Sequence, residues 1–552
     1  MEKLFNQDAA YEKWDRKNKN KGQDNYFEEE EDKSYLKGLK GRIQNNLSGF
    51  LRIALTALMV LIQCLFIIFL PFVLQSVTVY FYFIWELTSV IVIVALVNRN
   101  QSPSYRLAWI SIVMLLPLSG FIMFYLWGRD RSGKRKLDQH ILQQISYGNQ
   151  FLIQDEDVYL DFISENPVPG RMVKYMENEG FPLTAGNAVD FYPMGEEVFE
   201  EIFRDLEKAE KFILIDFFIV AEGGIWDKMY EILKRKVSEG VEVKFLYDDF
   251  GAAIRTRKFF KQILEHEGIE TRVFNPVHKY TGELYMNYRS HQKILVIDGK
   301  TGYTGGFNLA DEYANLIERF GVWKDTGIRV RGEAVWGLTV VFLQMWEASE
   351  KTGGHVDYLK YKAAFPRQCG NIFCQVISDG PANNPDNPVE SIYNQMMVYA
   401  DKYLYITTPY LIIEDYMKMS LIEAVKRGVD VRIITPAIPD KKNVKILTNY
   451  NYGPLLREGV RIYEYTPGFI HAKQILTENS VIVGTINMDY RSFYLHYENG
   501  VWMSGREIQE AVRKDFFKTF DISKEITYEE WLNRPFRWKI VQPLLNLFST
   551  LF

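Results

Sequence analysis

The chain is poor in the residues that organise metal and redox chemistry. Its 552 residues include three cysteines and seven histidines. Cys64 falls in an apolar run, and Cys369 and Cys374 have neither Cys-x-x-Cys spacing nor a histidine cluster beside them. This argues against a zinc site or a disulfide framework. A basic excess is missing as well: the formal charge is −5 and the pI about 6.0, against the positive balance expected of a protein that lives on nucleic acid. Nor do the first 46 residues resemble a signal peptide, because the first apolar run begins too late. Residues 1–46 are polar and charged, with an acidic run from Glu28 to Asp32, and read as a flexible tail.

What is present is unevenly placed. Three apolar stretches, Ile53–Leu74, Val77–Val97 (interrupted by Glu86) and Leu107–Trp127 (with Pro117 and Gly120 inside), each have about the 20 residues of a membrane helix. Residues 47–130 are therefore expected to form a membrane region of two or three helices, making a multi-pass protein of the cell membrane. Beyond about residue 145 the pattern turns α/β, and it repeats. Ala209-Glu-Lys-Phe-Ile-Leu-Ile matches Ala400-Asp-Lys-Tyr-Leu-Tyr-Ile, and Glu239-Gly-Val-Glu-Val-Lys matches Arg427-Gly-Val-Asp-Val-Arg. Gly268-Ile-Glu-Thr-Arg-Val-Phe matches Gly459-Val-Arg-Ile-Tyr-Glu-Tyr, so the offsets are 191, 188 and 191. Two α/β lobes are expected, at 145–350 and 370–525. An insert in the first half, Asn275 to Arg289, should lie beside the functional site, and residues 526–552 should form a C-terminal apolar helix.

The chemistry sits in the repeat. One copy reads His291-Gln-Lys293-Ile-Leu-Val-Ile-Asp298, then Gly305-Gly306-Phe-Asn308. The other reads His471-Ala-Lys473-Gln-Ile-Leu-Thr-Glu478, then Gly484-Thr485-Ile-Asn487. On a strand, positions i and i+2 share a face, so each copy presents an imidazole beside an ammonium. Two facing copies suit attack on a phosphodiester: one His is the nucleophile, the other the acid and base, and Lys293, Lys473, Asn308 and Asn487 hold the non-bridging oxygens. Neither metal nor cofactor is required. Each histidine also needs a carboxylate to fix its tautomer. Asp325 and Glu498, which follow their histidines by 34 and 27 residues, are the candidates. Asp298 precedes Gly299 and suits a hairpin turn. The other histidines, His140, His266, His278, His355 and His496, have no comparable setting.

The doubled HxK(x)4D followed by Gly-x-x-Asn resembles the signature of the phospholipase D superfamily. Pro117-Leu-Ser-Gly-Phe-Ile-Met-Phe-Tyr-Leu-Trp-Gly128, Thr407-Thr-Pro-Tyr410 and Gly484-Thr-Ile-Asn-Met-Asp-Tyr-Arg-Ser492 resemble stretches of bacterial cardiolipin synthases. The resemblance covers roughly residues 80 to 552. It implies two pseudo-symmetric lobes behind a membrane region, and a phosphatidyltransferase that joins two phosphatidylglycerols and releases glycerol. It further implies a phosphatidyl-histidine on His291, with His471 as acid and base, and phospholipids and the bilayer as partners. By position it also makes Asp298 and Glu478 catalytic, although Glu478 departs from the pattern's Asp and its loop is one residue shorter. A hydrolytic phospholipase is the alternative, and a membrane-tethered nuclease a more distant one.

Overall fold

The computed structural model describes residues 78–99, 101–125, 136–276, 288–350, 354–365, 369–384 and 386–551, with Leu58, Leu61 and Leu65. The expected tail and most of the first apolar stretch lie outside these residues.

One sheet runs through both halves. From one edge its strands are Ser523–Ile526, Arg461–Tyr465, Asp430–Pro436, Tyr403–Thr407, Gln474–Thr477, Val481–Gly484, His496–Ser504 and Ile372–Asp379. It continues through Thr184–Tyr192, Gly327–Arg331, Thr301–Gly305, Lys293–Ile297, Phe212–Phe217, Glu242–Asp248 and Glu270–Phe274. Read outward from the central antiparallel pair, Thr184–Tyr192 against Ile372–Asp379, the two lobes have the same order. Each combines three parallel strands joined by helices with an antiparallel group that carries the HxK motif.

The local sequence explains the layers. Phe212–Phe217 (FILIDF) and Lys293–Ile297 (KILVI) are buried along their whole length and lack polar alternation, because helices cover both faces. The helix Gly224–Ser238 buries Ile225, Trp226, Met229, Ile232 and Leu233, an apolar stripe at helical spacing. Helix Ala334–Ser349 is buried from Ala334 to Ala348 except at Gly337. It belongs to a core that also takes Ile294 and Val296 from the first lobe and Ile470, Ala472 and Leu476 from the second. The lobes therefore share apolar contacts behind the motif strands.

The N-terminal region departs from expectation. Among the described residues, no helix is long and apolar enough to cross a membrane. The third apolar stretch is two short helices, Pro103–Leu115 and Pro117–Met123. Pro117 disfavours a helical Leu116, which sits at φ −135°, ψ 69°. Gly120 lets the second helix turn back on the first, since a Cβ there would meet the Ile112 carbonyl oxygen at 2.8 Å. Trp109 and Phe124 close the hairpin at 5.4 Å. The second stretch is a 20-residue helix, Thr78–Val97, with the exposed carboxylate of Glu86 near its middle, a position that disfavours the bilayer centre. The multi-pass expectation thus finds no support in the described residues.

The hairpin is seated on the second lobe. Ser102 and Ser104 donate to the two oxygens of Glu414, and Tyr105 stacks on Tyr490. The C-terminal segment is also broken, into Tyr528–Leu532, Phe536–Asn546 and a final turn. It is held by Trp531, whose ring nitrogen donates to the Asn449 carbonyl at 2.7 Å, while Phe536, Ile540 and Leu544 stay exposed.

Candidate active site

The two motif strands enter the centre of the molecule from opposite lobes. His291 and His471 lie just ahead of Lys293–Ile297 and Gln474–Thr477, and the two histidines and two lysines of the motifs are all buried. The structure brings Glu498 and Asp325 each to a histidine, and the pairing crosses between lobes. His291 Nδ1 lies 2.9 and 3.0 Å from the oxygens of Glu498. His471 Nδ1 lies 2.6 Å from Asp325 Oδ2. The backbone repeats the exchange: His291 N donates to Tyr497 O at 2.8 Å and His471 N to Lys324 O at 2.7 Å. Each histidine is thus anchored to the residue before, and the side chain of, the other lobe's carboxylate.

The glycines make this approach possible. A Cβ on Gly306 would overlap the Asp325 carboxylate, and one on Gly484 would meet the backbone of Asn499 and Gly500 at 2.5 Å. Where the first copy has Gly306 the second has Thr485, whose hydroxyl donates to Glu498. The sites are therefore similar without being identical. Lys293 Nζ donates to the His291 carbonyl at 2.6 Å, whereas Lys473 Nζ reaches both the carbonyl and, at 2.7 Å, Nδ1 of His471.

Burial dominates the electrostatics. Loss of water holds His291 well below the usual imidazole value, helped by Lys293, and holds His471 down to about 4, with Lys473 in the same sense and Asp325 opposing. It brings Lys293 to about 7 and Lys473 to about 8. It pushes Glu498 up to about 8 against the pull of Lys293. Two buried lysines and two buried imidazoles at one centre suit an anion, whose arrival would favour the protonated lysines and imidazoles.

Asn308 and Asn487 are buried at the rim. Asn308 Oδ1 accepts from Ile219 N at 3.0 Å, and its amide donates to Tyr313 OH at 2.8 Å; the Tyr313 ring packs on His471 at 5.4 Å. Asn487 Oδ1 has no hydrogen-bond partner among the described residues.

Asp298 and Glu478 are placed at the far ends of the motif strands. Each is seven residues along an extended segment from its histidine, roughly 20 Å away. Asp298 accepts from the amides of Glu210, Lys211 and Phe212 at 2.7–2.9 Å. Glu478 accepts from those of Asp401, Lys402 and Tyr403 at 2.9–3.4 Å. Both tie the hairpin to the start of the neighbouring strand. Asp298 has φ +54°, a left-handed conformation that Asp tolerates better than most residues. The shorter second turn has no positive φ, so Glu is accommodated there. Replacing Glu478 by Ala should cost less than about tenfold in turnover while lowering the melting temperature, since a lost acceptor is worth about 1–3 kcal/mol. The same assay should show His471→Ala losing roughly a hundredfold or more. Equal losses would give Glu478 a chemical role.

Several residues of the site escaped the sequence reading. Phe218 packs on His291 at 5.1 Å and Trp323 on His471 at 5.7 Å. His496, grouped with the incidental histidines, stands 5.4 Å from His291, ring to ring. The pattern His-x-Glu at the start of a strand is the available signal. Of the Tyr-rich insert, the described C-terminal end lies at the site, where Arg289 and Ser290 pair with His496 and Tyr497.

The fold and its doubled, crossed HxK pairs define a phospholipase D-like enzyme. The family model described as "Cardiolipin synthase, PLD-like domain" matches residues 202–331 and again 393–519, and "Phospholipase_D-nuclease N-terminal" matches 87–129. Cardiolipin synthase of Clostridium perfringens strain SM101 is 33% identical over 464 residues, covering 82% of this chain and 95% of that protein. Cardiolipin synthase of Geobacillus kaustophilus is 32% identical, covering 84% and 92%. A Streptococcus mutans protein without a functional name is 36% identical, covering 83% and 98%. Phosphatidylserine synthase of Haemophilus influenzae shares the fold at a TM-score of 0.54 and 14% identity, over 69% of this chain and 100% of that one. The chain belongs to the cardiolipin synthase family of phospholipase D-like enzymes.

Proposed function

We propose that the protein condenses two phosphatidylglycerols into cardiolipin and glycerol through a covalent phosphatidyl-histidine. The observation that carries this reading is the pair of buried imidazoles, each with Nδ1 on a carboxylate of the opposite lobe and each beside a buried lysine. With Glu498 ionised, the ring proton of His291 sits on Nδ1 and Nε2 keeps its lone pair. Nε2 attacks phosphorus, and the bond to the headgroup glycerol breaks. His471, protonated in the presence of the anionic diester, gives that oxygen its proton, and glycerol leaves. The terminal hydroxyl of the second phosphatidylglycerol then yields its proton to His471 and attacks phosphorus; the P–N bond breaks, and both histidines return to their starting states. Lys293 and Lys473 stabilise the charge on the equatorial oxygens, with Asn308 and Asn487 at the rim. The assignment of roles has support in the asymmetry of the pairs: Asp325 pulls the His471 pKa upward, whereas Lys293, His496, Lys473 and His471 all pull that of His291 downward.

Attachment to a bilayer is part of the same reading. It is supported by the exposed apolar side chains of Thr78–Val97 (Phe83, Ile84, Leu87, Val90, Ile91, Val94) and of Phe536–Asn546. The direct test is detergent-solubilised protein with labelled phosphatidylglycerol. Cardiolipin and free glycerol in equal amounts are expected. Phosphatidic acid as the main product would replace the transferase by a hydrolase.

A further inference from the structure

His496 sits inside the site without a task in the reaction described above. It is about nine-tenths buried, and its Nδ1 has no hydrogen-bond partner among the described residues. That nitrogen lies 3.7 Å from Glu498 Oε1. The ring faces His291 at 5.4 Å and Phe218 at 6.3 Å. One ligand-grade atom from each of His291, His496 and Glu498 lies within 4.8 Å of the others. The internal repeat supplies the comparison: two residues before its carboxylate the first lobe has Trp323, an indole against His471, where the second lobe has the imidazole of His496. The feature therefore belongs to one side of a doubled site and is not demanded by the chemistry the two sides share.

We infer that His291, His496 and Glu498 form an inhibitory site for a borderline transition-metal cation of the Zn2+ type. Two imidazoles and one carboxylate are the donor set of many zinc centres, with a fourth position for water. Nitrogen donors select such ions over Mg2+ and Ca2+, and the lysines nearby oppose weakly held hard cations further. In a tetrahedral site with bonds of about 2.0–2.2 Å the ligand atoms stand about 3.3–3.6 Å apart, so small side-chain rotations complete it. Glu498 is already held by Thr485 Oγ1, a further support for a ligating carboxylate.

The consequence for His291 does not depend on which ring nitrogen is taken. A cation on Nε2 occupies the lone pair needed for attack on phosphorus. A cation on Nδ1 takes the lone pair of the other neutral tautomer, so the single ring proton moves from Nδ1 to Nε2, again leaving no lone pair there. Metal binding and phosphatidyl transfer are therefore mutually exclusive.

The test uses metal-free, detergent-solubilised full-length protein. Titration with Zn2+, followed by calorimetry, and with Co2+, followed by its visible absorption, should show one equivalent per chain with an intense tetrahedral spectrum. The same equivalent should stop cardiolipin formation, reversibly with a chelator, and millimolar Mg2+ should do neither. His496→Asn, and His496→Gln as a second variant should the first fail to fold, should weaken binding and inhibition at least a hundredfold, each judged against its own metal-free rate. Wild type that binds no Zn2+, or His496 variants that bind and are inhibited as wild type is, would overturn the site. The inhibition arm rests on the proposed role of His291, whereas the binding arm does not: stoichiometric binding lost with His496 but without inhibition would overturn the inhibitory role alone and count against His291 as nucleophile.

Discussion

Replacing His291 by Ala should reduce cardiolipin formation by roughly 10^4-fold or more, the scale seen when an enzyme loses its nucleophile. The fold should survive, because the imidazole contributes one pair, to Glu498, at the meeting of the lobes, while the shared core lies behind the motif strands. A phosphohistidine withstands alkali and not acid, so the decisive experiment traps protein with labelled phosphatidylglycerol under alkaline denaturing conditions. Wild type should retain label mapping to His291, and His291→Ala should retain none. Label on His471 in wild type would exchange the roles of the two histidines. Activity within tenfold of wild type in His291→Ala would end the covalent mechanism.

The second large effect separates the two crossed pairs by what the leaving group needs. Loss of a general acid costs about 10^2–10^4-fold, but only when the departing oxygen must be protonated. His471→Ala and Asp325→Asn should therefore be severely slowed with phosphatidylglycerol, but with a phosphatidyl nitrophenyl ester, whose phenolate leaves unaided, their single-turnover release of nitrophenolate should recover to within about tenfold of wild type, while transfer to the acceptor, which still needs His471 as base, stays slow. His291→Ala and Glu498→Gln should stay slow with both, because attack itself is impaired. The grouping is the test: Asp325 must behave as the partner of His471, 146 positions away, and Glu498 as the partner of His291, 207 positions away. If Asp325→Asn instead behaves like His291→Ala, the crossed pairs do not govern the chemistry.

Much of this site is legible in the sequence because its spacing is local. His and Lys two apart on a strand must share a face, and Asp298-Gly299 must turn; both follow from backbone geometry and need no knowledge of the rest of the chain. The crossing is different in kind. Distance along the chain places Asp325 and Glu498 after their own histidines, but the partner is set by how the two halves of the sheet join at Thr184–Tyr192 and Ile372–Asp379, which no local pattern encodes. His496 is hidden by the repeat itself: the matching position holds Trp323, so the two copies share no motif there. In the third apolar stretch, hydropathy outweighed Pro117 and Gly120, the two residues that let the chain double back into a hairpin too short to span.

Because each imidazole takes its proton geometry from the other lobe, the contact between lobes works as an alignment gauge for the chemistry. A hydrogen bond of 2.6–3.0 Å weakens steeply with small displacements, whereas the strands on either side tolerate them. Slight loosening of one lobe against the other would disorient both histidines at once, the attacking one and the proton-carrying one, while the helices and sheet remain formed. Warming should silence the enzyme before it unfolds it, and lesions far apart in the chain should converge on the same chemical defect.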